Sequence, residues 1–210
     1  KKKLGLIHLV PSYLPSIIYY WHIVHSNVIF GLSMKYKKQT ARNRCLIMSA
    51  NGPLKLIIPI KHSKKQNLYD YNTIIDNTQN WKIKHWKSIQ NAYRSSPFFE
   101  FYEEQFSKVF FNNEKLLCSL NINLITHINQ ILGINKNIKI TSKKISHDKY
   151  DERLINFKKK LCFNIPKYNQ VFMSKFEFIP NLCILDLLFN MGPKSLDYLN
   201  DLKFSQFHNN

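Results

Sequence analysis

Glycine is scarce in this chain, which has five glycines in 210 residues. The common loops that cradle nucleotide phosphates need several glycines at fixed spacing, and the sequence contains no such loop. The G-x-S-x-G turn of many hydrolases is absent as well. The sequence therefore excludes the common glycine-rich nucleotide sites and the serine-hydrolase nucleophile turn.

Acidic residues and arginine are also few. The chain has 13 Asp and Glu against 31 Lys and Arg, a formal net charge of +18. Such a charge is typical of proteins with an anionic partner, such as nucleic acid, a membrane surface or phosphate. The chain is also rich in Lys, Asn and Ile, which AT-rich codons supply, so we interpret much of the charge as compositional. The few arginines are then the more informative cations, because lysine cannot replace their planar fork of donors.

Cysteine usage and the lack of long apolar runs bear on location. The four cysteines, at 45, 118, 162 and 183, form no C-x-x-C pair, and a chain of this size needs no disulfide framework. We expect free thiols in a reducing, cytoplasmic compartment. Lys1 to Lys3 precede a short apolar run, but His8 and Pro11 interrupt it and no cleavage site follows. No run approaches the length of a membrane span, so we expect neither export nor anchoring.

The composition suits a globular domain, with 44% hydrophobic and 14% aromatic residues. We predict one domain over residues 1–205 and a tail at 206–210. Residues 142–166 are charged and poorly periodic, which indicates a loop or surface arm.

The order of the expected elements predicts an α/β fold. Its mixed sheet starts with an N-terminal β-α-β unit, continues with a hairpin turning at Asn51-Gly52, and is flanked by helices. Strands are expected at 4–10, 27–32, 43–49, 54–60, 72–76 and 138–141. Helices are expected at 16–25, 79–95, 98–110, 115–132, 181–190 and 194–202, so the C-terminal third is helical.

The arginines at 42 and 44 are the first candidate binding residues. Alternation along a strand would place Arg42 and Arg44 on one face, with Lys38 nearby. Two guanidinium groups on one face suit a phosphate or carboxylate. The alternative is a solvated edge strand whose cations deter aggregation.

A histidine between two tryptophans is the second candidate. One helical turn brings Trp81 over His85, and Trp86 follows directly. An imidazole suits proton transfer, and an indole suits a sugar face or a base. The alternative is a histidine satisfied within the core.

Three further features are weaker. His22 and His25 share a helix face, but no third ligand is evident, so we expect no metal and no cofactor. Tyr13 lies on a stiff loop between two prolines after the first strand, where open α/β sheets tend to bind ligands. Asp186 falls within an apolar helix and needs a partner if it is buried.

Taken together, five segments in order resemble the WbqC-like family of bacterial surface-polysaccharide gene clusters, in its shorter branch. They are HLVPSYLPSII (8–18), KKQTARNRCLIMSAN (37–51), WKIKHWKSIQNAYRSSPFFEFY (81–102), YNQVF (168–172) and FIPNLCILDLLFNMGPKSLDYL (178–199). Three positions depart from the pattern of the family. Ala41 and Asn169 replace aromatic residues, and Cys183 replaces a serine.

Together with the arginine and histidine candidates above, the resemblance leads us to expect a cytoplasmic enzyme of surface-glycan assembly, which transfers an acyl or related group onto an amino sugar. Its partner would be an anionic small molecule, such as a nucleotide- or lipid-diphosphate sugar. His85 would be the general base. The substrate-binding residues would be Tyr13, Lys38, Arg42, Asn43, Arg44, Trp81, Trp86, Tyr93, Gln170 and Asp186. The alternative is a non-catalytic protein that binds nucleic acid or an anionic membrane surface; we expect no specific nucleic acid and no membrane span.

Overall fold

The N-terminal β-α-β unit is present in the computed structural model, which describes residues 4–61, 68–143 and 165–203. Strand β1 (Leu4–Leu9) pairs in parallel with β2 (Ser26–Gly31), with helix α1 (Ile17–His25) between them. The Ser16 side chain caps α1 by accepting the Tyr19 amide. Strand β5 (Lys139–Thr141) pairs in parallel with β2 on its other side, so the order is β1-β2-β5.

The hairpin is also present. Strand β3 (Arg44–Ser49) pairs antiparallel with β4 (Gly52–Ile57), and Gly52 after the turn has a φ of +104°. The predicted α/β class is confirmed, although the hairpin forms a sheet of its own within the described ranges. The strand predicted at 72–76 is reduced to isolated bridges made by Ile74 and Ile75.

Helices supply most of the remaining structure, and the helical C-terminal third is confirmed. A 3-10 turn (Asp70–Asn72) comes first. The helices are α2 (Trp81–Tyr93), α3 (Phe99–Phe110), α4 (Leu117–Ile131), α5 (Met173–Phe176), α6 (Ile184–Met191) and α7 (Ser195–Asp201). Gly133 follows α4 with a φ of +69°, as expected for a helix C-cap.

The core is dominated by aromatic rings where the C-terminal helices meet the N-terminal half. Phe99, Phe106 and Phe189 are fully buried, and the first two rings both pack against Phe189. The start of α6 is bonded on two sides: the Cys183 amide donates to the Leu46 carbonyl at 2.9 Å, and the Ile184 amide to the Pro15 carbonyl at 2.8 Å. These bonds hold β3 and the loop before α1 against α6, and most of the candidate site residues lie there.

Three predictions on domain organisation stay predictions. Most of the loop or arm proposed for 142–166, and the tail at 206–210, fall outside the described residues. The extent of the single domain, 1–205, is likewise untested.

Candidate functional site

Tyr13 and His85 meet in the core although 72 residues separate them along the chain. Tyr13 lies on the loop between β1 and α1, where its amide donates to the Ala41 carbonyl at 2.8 Å. His85 lies in the second turn of α2. Tyr13 Oη and His85 Nδ1 are 2.9 Å apart. We call these two side chains the Tyr13–His85 pair.

The pair is electrically neutral at pH 7. Burial lowers the pKa of His85 from 6.5 to about 4, and a hydrogen bond with the Ile57 backbone opposes the shift only in part. The backbone hydrogen bond favours the protonated ring, so the ring is its donor. The other ring nitrogen, Nδ1, is then left to accept from the Tyr13 hydroxyl. Burial raises the pKa of Tyr13 well above its usual value, so the phenol keeps its proton.

Trp81 borders the pair and Trp86 does not. The Trp81 ring stands edge-on to both Tyr13 and His85, with centroids 6.4 and 5.2 Å away. Trp86 instead packs against Phe106 and Phe110. Both tryptophans are at most 9% exposed, so neither indole face is open to a sugar in the free protein.

Arg42 is engaged by an acid inside the protein. Its Nε lies 2.6 Å from Asp70 Oδ1, and the side chain is 1% exposed. Burial raises the pKa of Asp70 to about 6 despite the opposing attraction of Arg42. The predicted alternation is wrong for Arg42, because β3 begins at Arg44 and Arg42 lies in the preceding turn. We call these two side chains the Arg42–Asp70 pair.

Arg44 and Lys38 are the two predicted cations near this turn that form no ion pair among the described residues. Arg44 is half-buried, and its Nε is a buried donor with no hydrogen-bond partner among the described residues. Lys38 is exposed. Burial raises the pKa of the Tyr36 hydroxyl to about 12, and the charges of Arg42 and Arg44 both act to lower it. The two guanidinium groups therefore both lie near Tyr36, but that of Arg42 is already paired with Asp70.

Asn43 links the same turn to the end of the hairpin. Its side-chain amide donates to the Ile58 carbonyl at 2.8 Å, and the Ile58 amide donates back to the Asn43 carbonyl at 2.8 Å. Asn121 of α4 donates to the carbonyls of both Pro11 and Arg42. These amides fix the Tyr13 loop and the arginine turn against each other.

The remaining predicted residues, Tyr93, Gln170 and Asp186, form a second buried group together with Tyr168, which was not predicted. We call these four side chains the Asp186 cluster. Tyr168 Oη and Gln170 Nε2 donate to Asp186 Oδ2 at 2.5 and 2.9 Å. Burial raises the pKa of Asp186, and these donors, with Tyr93, oppose the rise. Tyr93 Oη lies close enough to Asp186 to favour the carboxylate, although neither Tyr93 Oη nor Asp186 Oδ1 makes a hydrogen bond of full geometry within the described ranges.

Cys183 connects the two groups. Its thiol lies close enough to Tyr13 and to Tyr93 to disfavour ionisation of both phenols. Its thiol also lies beside the thiol of Cys45 on β3, where it helps to raise the pKa of Cys45, and both cysteines are free. The Tyr13–His85 pair and the Asp186 cluster therefore border one buried polar region at the start of α6.

Asp70 and Tyr168 were missed by sequence reasoning. A signal for Asp70 existed, since no acidic residue precedes it in the chain. Tyr168 carried no such signal. The rings of His22 and His25 both pack edge-on against Trp21. No group of three or more metal-ligating His, Cys, Asp or Glu side chains occurs among the residues described.

No helix within the described ranges is long and apolar enough to cross a membrane.

Comparison with known proteins identifies the family. A curated relative, "Uncharacterized protein Rv1507c" of Mycobacterium tuberculosis, is 24% identical over 195 residues, covering 79% of this chain and 84% of the relative. No solved structure matches. The family model described as "WbqC-like protein family" matches residues 11–165, a span that includes Tyr13, Arg42 and His85, and the chain therefore belongs to that family.

Proposed function

We propose that the chain is a cytoplasmic enzyme of surface-glycan assembly, which transfers an acyl or related group onto an amino sugar carried on a diphosphate. One observation carries the proposal: Tyr13 and His85, distant in sequence and both at motif positions of the family, share a hydrogen bond of 2.9 Å. A neutral imidazole that is hydrogen-bonded to a phenol can accept a proton. Acyl transfer to an amine requires a proton acceptor, because the amine loses a proton in the reaction. Membership of the family supports the role in glycan assembly. A reducing, cytoplasmic compartment is supported by the buried free thiols Cys45, Cys118 and Cys183.

In the proposed reaction with a thioester donor, the amine nitrogen attacks the acyl carbonyl carbon. The N–C bond forms and the C–S bond breaks. The amine proton passes to Tyr13 Oη while Tyr13 gives its own proton to His85 Nδ1. The resulting imidazolium then returns a proton, through Tyr13, to the departing thiolate.

This reaction requires the Tyr13 loop to open, because Tyr13 is fully buried and His85 is 6% exposed. The loop carries backbone strain that favours such a change. Leu14 has a φ of +40°, a conformation that a bulky side chain rarely adopts.

The diphosphate would bind Arg44 and Lys38. The buried Nε of Arg44 lacks a partner among the described residues, and an anionic oxygen supplies one. Arg42 would act as a positioning residue, since Asp70 occupies its guanidinium.

The test is a turnover assay with UDP- and dTDP-linked amino sugars and acetyl-coenzyme A, read by mass spectrometry. We expect His85→Ala and Tyr13→Phe to lower kcat by about 10²-fold or more, and Arg44→Gln to raise KM. Tyr71→Phe and Arg94→Gln alter exposed side chains of the same types and serve as matched controls. Full turnover by both His85→Ala and Tyr13→Phe would refute the catalytic assignment.

The exposed lysines at 37, 38, 84 and 87 favour a second candidate function. In this case the protein binds an anionic partner, nucleic acid or a membrane surface, without catalysis. Binding through such lysines should weaken steeply as salt rises. A diphosphate held by Arg44 in a partly buried position should respond much less. Titrating nucleotide sugar and duplex DNA at low and physiological salt separates the two candidates.

A further inference from the structure

A cavity of about 320 Å³ lies between α4 and the edge of the parallel sheet. Thr126, Asn129 and Gln130 contribute from α4, whereas Phe30 contributes from β2 and Ile140 from β5. The segment that follows α4 closes one end. Its volume is in the range of small-molecule sites and suits a single six-membered ring with substituents.

Uncharged hydrogen-bonding groups line much of the cavity: Thr126, Asn129, Gln130, Asn135 and Asn137. Asn129 is 6% exposed, and its Oδ1 is a buried acceptor with no hydrogen-bond partner within the described part of the chain. A buried acceptor without a donor is costly, so this atom calls for a donor from a ligand. A hydroxyl group supplies one.

The opposite wall is apolar. Phe30 and Ile140 are partners in the parallel register, so their side chains lie on the same face of the sheet. Ile134 and Ile138 also line the cavity. Ile140 is 52% exposed, so part of the wall remains uncovered.

The cavity carries little net charge. Its described lining contains no carboxylate. Lys136 lines it as well, but its ammonium group bonds the backbone carbonyls of Val24 and Ser26 near the end of α1. A strongly anionic or cationic ligand is therefore not favoured here.

We propose that this cavity binds one neutral sugar ring. A pyranose presents hydroxyl groups at its rim, which can donate to and accept from side-chain amides, and a C–H face that can lie on the Phe30–Ile140 wall. The proposal does not depend on transferase activity, and it places a sugar outside the Tyr13–His85 pair, with Asn129 as the central contact.

The test is a titration of ¹⁵N-labelled protein with glucose, N-acetylglucosamine or uridine, followed by NMR. We expect a sugar to bind with a Kd on the order of 1 mM and to shift the side-chain amides of Asn129, Gln130 and Asn135. Uridine should bind at least tenfold more weakly.

The decisive variant is Asn129→Leu, which keeps the volume and removes the amide. We expect sugar affinity to fall at least tenfold without a lower Tm, because the buried acceptor is removed with it. Asn91→Leu, at an exposed position of α2, is the matched control. Gln130→Ala, which alters an exposed side chain, is a second variant if Asn129→Leu fails to fold. Wild-type sugar binding by Asn129→Leu or Gln130→Ala, no titration by either sugar, or preference for uridine would overturn the assignment. Binding is measured without turnover, so the result stands apart from the transferase assay.

Discussion

Two buried pairs lie near the same loops but differ in kind. The Tyr13–His85 pair is neutral, and burial holds the pKa of His85 at about 4. The Arg42–Asp70 pair is charged, and burial raises the pKa of Asp70 to about 6. The neutral pair keeps a proton acceptor available, whereas the charged pair offers a ligand no free guanidinium. A buried polar residue is therefore a candidate for catalysis or binding only when its partner leaves it able to accept a proton or to bond a ligand.

The charged pair should give the largest effect. We expect Asp70→Asn to destabilise the protein by about 3–5 kcal/mol, because it leaves the Arg42 charge buried without a counter-ion. Urea unfolding measures the loss. The double variant Arg42→Met with Asp70→Asn should recover much of it, and a loss below about 1 kcal/mol in the single variant would show that the pair is solvated.

The neutral pair should dominate the pH dependence. His85 prefers its neutral form in the folded state, so it contributes stability that is complete above pH 6.5 and is lost as the pH falls towards 4. The shift corresponds to about 3 kcal/mol. We expect the difference in unfolding free energy between wild type and His85→Gln to shrink by roughly this amount over that window.

The contribution of Asp70 to stability changes with pH in the opposite direction to that of His85, so the two must be measured separately. Its raised pKa means that the folded state favours the protonated acid, and the contribution present below pH 3.8 is lost as the pH rises through 6. The two effects partly cancel in the wild type. A wild-type minus His85→Gln difference that stays constant from pH 6.5 to 4 would contradict the buried neutral assignment.

The Asp186 cluster offers an intermediate case, with an acid held by neutral donors. We expect Tyr168→Phe to cost about 1.5–3 kcal/mol, because it removes a hydroxyl that donates to the buried carboxyl at 2.5 Å. Thermal and urea unfolding measure the change. Tyr71→Phe, which alters an exposed tyrosine, is the control and should change stability by less than about 0.5 kcal/mol. Equal effects of the two variants would indicate that Asp186 does not depend on Tyr168.

The smallest effect is expected from Tyr13→Phe, which removes one neutral hydrogen bond and leaves the core packing intact. We expect a stability loss of about 1 kcal/mol, together with a higher pKa for His85 if water replaces the phenol. Chemical unfolding and NMR titration measure these two quantities. A loss as large as that of Asp70→Asn would erase the contrast between the two pairs.

Local patterns were sufficient to predict the fold class. Pro11 and Pro15 bracket the loop before α1, and Asn51-Gly52 marks the hairpin turn. Trp81, His85 and Tyr93 at helical spacing all turn inward on α2. The separation of the strands into two sheets was not predictable, since it depends on long-range packing of the helices against β3.

The candidate site was only partly predictable, because its partners come from distant segments. Helical spacing placed Trp81 over His85, but nothing in either segment reveals that Tyr13 bonds the ring. Strand alternation failed for Arg42 because the strand starts two residues later. Asn129 carried no signal, since an amide on a helix is unremarkable in a chain so rich in asparagine.

The buried neutral state of the Tyr13–His85 pair is tested most directly by an NMR titration of the His85 imidazole with ¹⁵N labelling of the ring. We expect the ring to stay neutral down to about pH 5, with the proton on Nε2 and with Nδ1 accepting from Tyr13. A ring that titrates near pH 6.5, or one that carries its proton on Nδ1, would contradict it.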